Sequence, residues 1–405
     1  MRNWRILLAL LLALALALAA CAGDEEAGDP TAATDDTDDA DDADDADEAD
    51  DADDTADDEA EGDEAEIVEE DDQVGVEADS ADLLGAGATF ITPLMLEWIR
   101  DNEPGINVNY QSIGSGGGIE QFLSENVDFG SSEAHLDDEA MEEAREIRGC
   151  EPIHFVDAFG SVTVAYNDPD LDAALEAAGQ DNVILDAEAI AGIYNTDITT
   201  WDDPAIAELN PDVELPATSL VAVHRSDGSG TTNIFTQFLD DAADNWELGF
   251  GTEVDWAAGT IGGNGNEGVA AETQQQPGAV GYLSYAYAVE NDIPVASVVN
   301  EDGTPIAPTL EAISAGPSEI LDDIPEDQRF AVLGVGGEGY PIVGPHWILA
   351  WECGYDDDVA ESMKEFFTWA VTEGDDLATD LFYAPVTGDF EQRVLDQIDR
   401  INSEE

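Results

Sequence analysis

The sequence predicts an α/β protein of two domains, built on mixed, mostly parallel sheets flanked by helices. Three observations predict it. Residues 83–405 form a stretch of 323 residues, above the size at which one core usually divides. Within it, short apolar runs of strand length alternate with segments of helical period. That βαβα order argues for parallel strands joined by crossover helices, with no internal repeat.

In chain order, residues 106–111 alternate Ile106, Val108 and Tyr110 with polar neighbours and read as a strand. Residues 117–126 read as a helix and 127–130 as the next strand. Residues 137–148 open on Asp137, a capping type, and are helical. Residues 161–166 are a β-branched strand. Residues 187–194 and 204–209 are helical, the second opening on a proline suited to a first turn. Then come a strand over 220–224, a helix over 231–240, strands over 279–283 and 346–351, and a long helix over 357–372.

Charge removes several functions. Asp and Glu number 96 against 10 Lys and Arg, a formal net charge of −86. A groove for nucleic-acid phosphates needs clustered Lys and Arg. Nine Arg and the single Lys364 serve the whole chain, so no nucleic-acid partner is expected. A polybasic membrane patch fails for the same reason. Residues 24–82 hold 32 acidic residues and no basic one, and residues 83–405 hold 64 against 8. Such a surface reads as adaptation to a salty milieu, where the Debye length falls to ~3 Å at ~1 M salt. A cation-binding surface would need ligand spacing that the sequence lacks.

The amino terminus reads as an export signal over residues 1–20. Arg2 and Arg5 precede thirteen Leu, Ile and Ala residues at 6–18, too short to span a bilayer. Leu18-Ala-Ala-Cys21 then resembles the lipobox of bacterial lipoproteins. That likeness implies cleavage before Cys21 and a lipid on its sulfur, with an incidental cysteine as the alternative. The expected location is the outer face of the cell membrane. Beyond Cys21, residues to 82 form an acidic tether of repeated Asp-Asp-Ala units, too poor in apolar residues to fold. Such a coil spans roughly 45 Å. With Cys21 used, Cys150 and Cys353 remain. Two cysteines in an exported chain favour one disulfide, with two separate buried thiols as the alternative.

Three glycine-rich segments each lead from a strand into a helix: Gly85-Ala-Gly-Ala-Thr-Phe90, Ser112-Ile-Gly-Ser115-Gly-Gly-Gly118 and Arg225-Ser-Asp227-Gly-Ser229-Gly230-Thr231-Thr232. Each puts a hydroxyl where a helix begins, so that hydroxyl and free backbone N–H groups can converge on an anion. Glycine removes the Cβ that would block the approach. One such loop is weak evidence, because Ser and Thr cap helices everywhere. Three, one with an arginine four residues before Ser229, are more specific. No Gly-x-x-x-x-Gly-Lys motif occurs, so nucleotide chemistry of that kind is excluded. Neither Ser115 nor Ser229 has the glycine two residues before it that a hydrolase elbow needs; Ile113 and Asp227 stand there. His135, His154, His224 and His346 show no metal-ligand spacing and read as structural, so neither metal nor cofactor is expected.

These segments, with Val127-Asp-Phe-Gly-Ser-Ser132, Gly262-Gly-Asn-Gly-Asn-Glu-Gly268, Gly278-Ala-Val-Gly-Tyr282 and Tyr340-Pro-Ile-Val343, resemble the phosphate-binding proteins of bacterial Pst-type ABC importers. The resemblance runs in order through residues 83–405. It implies a two-lobed clamp of the type II periplasmic-binding fold, with lobe 1 in residues 83–165 and 345–405 and lobe 2 in 166–344. It implies inorganic phosphate held between the lobes and passed to a membrane permease by a monomeric, non-enzymatic receptor. Carried across by motif, the ligands are Thr89, the Phe90 N–H, Ser115, Arg225, Ser229, the Gly230 N–H and Thr231, with Asp227 holding the guanidinium. The family's aspartate that accepts the phosphate proton corresponds here to Glu133, one methylene longer. Either the backbone shifts, or Glu133 bends, or selectivity changes. The alternatives are a receptor for sulfate, molybdate or arsenate, or a phosphate-ester hydrolase, for which no activated nucleophile is visible.

The charge excess carries a prediction. The melting temperature of the folded part rises with salt as self-repulsion is screened. A temperature unchanged between low and multimolar salt would contradict salt adaptation.

Overall fold

The computed structural model describes residues 81–318 and 320–403. The export signal, Cys21 and almost all of the acidic tether lie outside the described residues.

The strands are β1 (Leu83–Gly87), β2 (Val108–Ser112), β3 (Phe129–Ser132), β4 (Pro152–Asn167), β5 (Ile184–Leu185), β6 (Val221–Arg225), β7 (Ile261–Gly263), β8 (Ala279–Ser284), β9 (Ser297–Val299), β10 (Pro305–Ile306), β11 (Val343–Trp351) and β12 (Ala384–Pro385). The helices are α1 (Thr92–Asp101), α2 (Ser115–Leu123), α3 (Asp138–Arg148), α4 (Pro169–Ala178), α5 (Ala187–Tyr194), α6 (Pro204–Leu209), α7 (Gly230–Ala242), α8 (Gly265–Gln275), α9 (Tyr285–Glu290), α10 (Leu310–Ser318), α11 (Asp357–Thr372), α12 (Asp375–Asp380) and α13 (Gly388–Ile398).

One large sheet has the order β2-β1-β3-β11-β4-β8-β6-β7, with β12 also on β4. A small sheet, β10-β9-β5, stands apart. The long strand β4 divides the large sheet into two halves. It pairs with β11 up to Ser161 and with β8 from Val162 onward. The β1–β2, β1–β3, β6–β7 and β6–β8 ladders are parallel, as βαβ order demands. Among the described residues, every antiparallel ladder of this sheet includes β4 or β11. The architecture is therefore α/β with a mixed sheet.

β4 begins nine residues before the strand expected at 161–166. The reason is that His154 and Asp157 interrupt its apolar run, yet both are only 1 % exposed. His154 is affordable there because it stays neutral: burial pushes its imidazole down to about 3, and its Nε2 accepts the Leu136 N–H at 3.0 Å. Asp157 occupies a bulge. His346 pairs with Ala158 and Trp347 with Val156, which leaves Asp157 as the extra residue. The Val156 N–H beside it donates to Gln328 Oε1 at 3.0 Å.

The core runs under both halves. In the first, Phe129, Phe155, Phe366 and Phe367 pack edge to face. In the second, Tyr194, Phe235, Trp256 and Tyr282 form an aromatic cluster beneath β6 and α7. Tyr282 also reaches the site above, because its hydroxyl accepts the Arg225 N–H at 3.0 Å and meets Thr232 Oγ1 at 2.7 Å. Polar tips of this kind let buried aromatic rings set the height of a loop.

Cys150 and Cys353 are bonded, with Cα atoms 6.1 Å apart and a separation of 203 positions in sequence. The bond ties the entrance of β4 to the exit of β11. Reduction releases a long loop in the unfolded chain, so folding stability should drop by about 2–4 kcal/mol. Denaturant midpoints at high salt, with and without reductant, measure this; an unchanged midpoint would contradict it.

Candidate functional site

The three glycine-rich segments meet where the two halves of the sheet face one another. Thr89 follows β1, Ser115 opens α2, and Ser229, Gly230 and Thr231 begin α7. All four hydroxyl residues are at most 2 % exposed. Two backbones touch across the halves: the Gly116 N–H donates to the Gly228 carbonyl at 2.9 Å. A Cβ on Gly116 would lie 2.9 Å from the Gly228 Cα, so glycine is required for that approach.

The hydroxyls do different work. Ser229 caps α7, its Oγ accepting the Thr232 N–H at 3.1 Å. Ser115 caps nothing: Gly114, at φ +83°, holds the cap position of α2. Its Oγ is free to donate to Glu133 Oε2 at 3.1 Å. Gly230 fits against this pair, since a Cβ there would stand 2.5 Å from Glu133 Oε2 and 2.6 Å from Ser115 Oγ. Phe90 is fully buried, and its carbonyl accepts the Tyr383 hydroxyl.

Arg225 ends β6 and is held on three sides. Its Nε and Nη2 donate to the two oxygens of Asp227 at 2.8 and 2.5 Å, and its Nη1 donates to Thr231 Oγ1 at 3.2 Å. Such a bidentate pair fixes the guanidinium plane as well as its position. Asp227 is fixed in turn by the Gly265 N–H, which donates to its Oδ1 at 3.0 Å.

Asn266, fully buried at the start of α8, was not assigned a role from sequence. Its Nδ2 donates to Thr89 Oγ1 at 2.8 Å and to Thr231 Oγ1 at 3.1 Å, and its Oδ1 accepts the Ser284 N–H at 2.8 Å. Thr89 Oγ1 also accepts the Asn266 backbone N–H at 3.1 Å. Both threonine oxygens are thus occupied as acceptors, and each keeps its own hydrogen for another oxygen. A second polar residue at the end of Gly262-Gly-Asn-Gly-Asn266 was the available signal. Its meaning depended on Thr89 and Thr231, which come from distant segments.

Glu133 lies just after β3 and is 1 % exposed. Its Oε2 has Ser115, but its Oε1 is buried with no hydrogen-bond partner. Burial pushes the carboxyl up to about 7; His346, Arg225 and the Ser115 hydrogen bond oppose that rise. Near neutrality the group therefore sits between its two charge states. Across the halves, Asn233 Nδ2 donates to the Glu133 carbonyl at 3.1 Å. Behind it stands His346, whose Nε2 is 3.7 Å from Glu133 Oε1 and whose Nδ1 is 2.6 Å from Asp157 Oδ1.

The structure thus links Thr89, Thr231, Arg225 and Asp227 in one hydrogen-bonded network, and Ser115, Glu133 and Gly230 in close contact with one another. Together they supply one cation, several neutral donors and two carboxylates, Asp227 bound to the Arg225 guanidinium and Glu133 with one oxygen left without a partner. Among the described residues, no group of three or more His, Cys, Asp or Glu is arranged to hold a metal ion.

Comparison with known proteins identifies the family. The PBP superfamily domain matches residues 47–373. The phosphate-binding protein PstS of Haemophilus influenzae is 32% identical over 330 residues, covering 79% of this chain and 93% of its own. That of Xylella fastidiosa is 35% identical over 315 residues, covering 76% and 83%. That of the archaeon Methanocaldococcus jannaschii is 34% identical over 310 residues, covering 71% and 78%. In fold, the chain resembles a high affinity periplasmic phosphate-binding protein solved with phosphate bound, at TM-score 0.63 and 20% identity, over 78% of this chain and 93% of that one. A phosphate-binding protein from Stenotrophomonas maltophilia superposes with TM-score 0.59 at 18% identity, over 78% and 94%. The chain belongs to the PstS family of phosphate-binding proteins within the PBP superfamily.

Proposed function

We propose that this chain captures inorganic phosphate between the two halves of its fold and delivers it to the permease of an ABC-type importer. It is a binding protein rather than an enzyme. The observation that carries the reading is Glu133 Oε1: a buried acceptor without a partner, in a site otherwise made of donors. Phosphate near neutral pH brings oxygens for the donors and a proton for that acceptor. The hydroxyls of Thr89 and Thr231, the Arg225 guanidinium and the backbone at the start of α7 would take the phosphate oxygens. Phe90 and Gly230 would contribute N–H groups. Asp227 and Asn266 would hold the donors in place.

The same geometry weighs against sulfate, which has no proton at neutral pH. Set against an ionised Glu133, a sulfate oxygen leaves two acceptors facing each other. An unpaired buried acceptor costs ~1–3 kcal/mol, more when charged, which amounts to roughly five- to 150-fold discrimination or more. Arsenate, protonated like phosphate, is not distinguished by this device.

The family suits an extracytoplasmic receptor. Lipid attachment at Cys21, the acidic tether and a monomeric state complete the proposal. Among the described residues no helix is long and apolar enough to cross a membrane. Closing of the two halves on the anion would supply the docking signal.

Arg225→Ala removes the charge-assisted bonds and leaves Asp227 unpaired, while Glu133→Leu removes the proton acceptor. Each should weaken phosphate binding at least about a hundredfold. Equilibrium dialysis with radiolabelled phosphate at high salt measures this, and wild-type affinity in both variants would overturn the site.

A further inference from the structure

His346, on β11, is fully buried beside Glu133, and hydrogen counting fixes its charge. The Tyr110 hydroxyl lies 2.8 Å from the Ala88 carbonyl, and a carbonyl can only accept, so Tyr110 spends its single hydrogen there. The 2.8 Å contact between Tyr110 and Ser131 must then use the Ser131 hydrogen. Ser131 Oγ is left as an acceptor toward His346 Nε2 at 2.7 Å, so Nε2 carries a hydrogen. On the other side, Nδ1 faces Asp157 Oδ1 at 2.6 Å. A proton lies between these two as well, and imidazole is the stronger base. The pair is therefore imidazolium and carboxylate, with the positive ring turned toward Glu133.

We propose that His346, protonated and oriented by Asp157, is a positioning residue that favours the ionised form of Glu133 against the cost of burial and so raises phosphate over sulfate selectivity. The inference rests on the phosphate-binding reading. The bulge in β4 is what makes the pair possible: it inserts Asp157 opposite His346 and Trp347 and turns its carboxylate to the ring. The titratable and charged groups around Glu133 and His346 are Asp157 on β4, Arg225 on β6, Tyr110 on β2 and Tyr383 beyond α12. Burial pushes both tyrosine hydroxyls well above their ordinary range, so neither competes for protons. Arg225, paired with Asp227, also favours the ionised form of Glu133, but less than His346 does. His346 is the cation turned to Glu133 Oε1, the oxygen without a partner. Burial lowers the imidazole, but the Asp157 carboxylate overrides it and holds the ring above its ordinary value.

The consequence concerns sulfate. Sulfate can bind only when Glu133 is protonated and donates to it, so sulfate affinity falls as pH rises through the Glu133 titration. Without His346 that titration moves to higher pH. Two measurements on the full chain at high salt test this. In His346→Gln, the pH at which sulfate binding is lost should rise by about one unit or more, and the sulfate-to-phosphate affinity ratio at neutral pH by about tenfold or more. A uniform loss of both anions with an unmoved sulfate profile would mean a packing role and overturn the inference. The second measurement needs neither a variant nor an anion. In wild-type protein labelled with nitrogen-15 in histidine, one of the four rings should keep both nitrogens protonated at about pH 8, above the ordinary histidine range. Four neutral rings would overturn it. Should the wild type bind no phosphate, the functional reading fails while the ring measurement still decides the charge of His346.

Discussion

The structure depends on one expensive placement: a carboxylate kept out of water next to a seat for an anion. Burying Glu133 costs free energy that water would otherwise supply, and the surrounding groups exist in relation to that cost. Ser115 donates to one oxygen of Glu133, and the positive His346 ring faces the other. Arg225, turned toward the same space, is tied to Asp227 so that its charge is directed rather than free. The site therefore meets an incoming anion with oriented donors and a nearly balanced set of charges. In the proposed function, selectivity follows from protons rather than from net attraction.

The sheet supplies the geometry for this. β4 and β11 are the strands on which the antiparallel pairing of the large sheet turns, and they carry Asp157 and His346. β3 delivers Glu133 beside β11, while β6 and α7 bring Arg225 and Thr231 from the other half. The same seam that joins the halves thus holds the buried charges. A large negative net charge is tolerable for an anion receptor because contacts within the site act at bond distance, whereas repulsion from the surface acts over the Debye length and shortens in salt.

Much of this was legible in the residues. The βαβ order and the three glycine-and-hydroxyl loops follow from local chemistry, and the motif around Glu133 marks a carboxylate where the family has one. What stayed hidden is long-range. Asn266 gains its role only by touching Thr89, 177 positions away, and Thr231, 35 positions away. His346 and Asp157 are separated by 189 positions and meet through a bulge whose register no single segment encodes. Asp157 and His154 made the first part of β4 look unlike a buried strand, and nothing around His346 in the sequence singles it out from the other three histidines. Helices α8, α9, α10 and α13 follow Asn264, Ser284, Thr309 and Thr387, capping residue types that also occur in turns and do not by themselves mark a helix. The first opens on Gly265 at φ +70°, with no side chain capping it.

The most direct measurement of the central claim is calorimetric titration of ligand-stripped protein with phosphate at multimolar salt and neutral pH, with sulfate as control. Tight one-to-one binding of phosphate, with sulfate bound far more weakly, is the result the account predicts. Binding of sulfate as strong as that of phosphate, or of neither anion by folded protein, would contradict it.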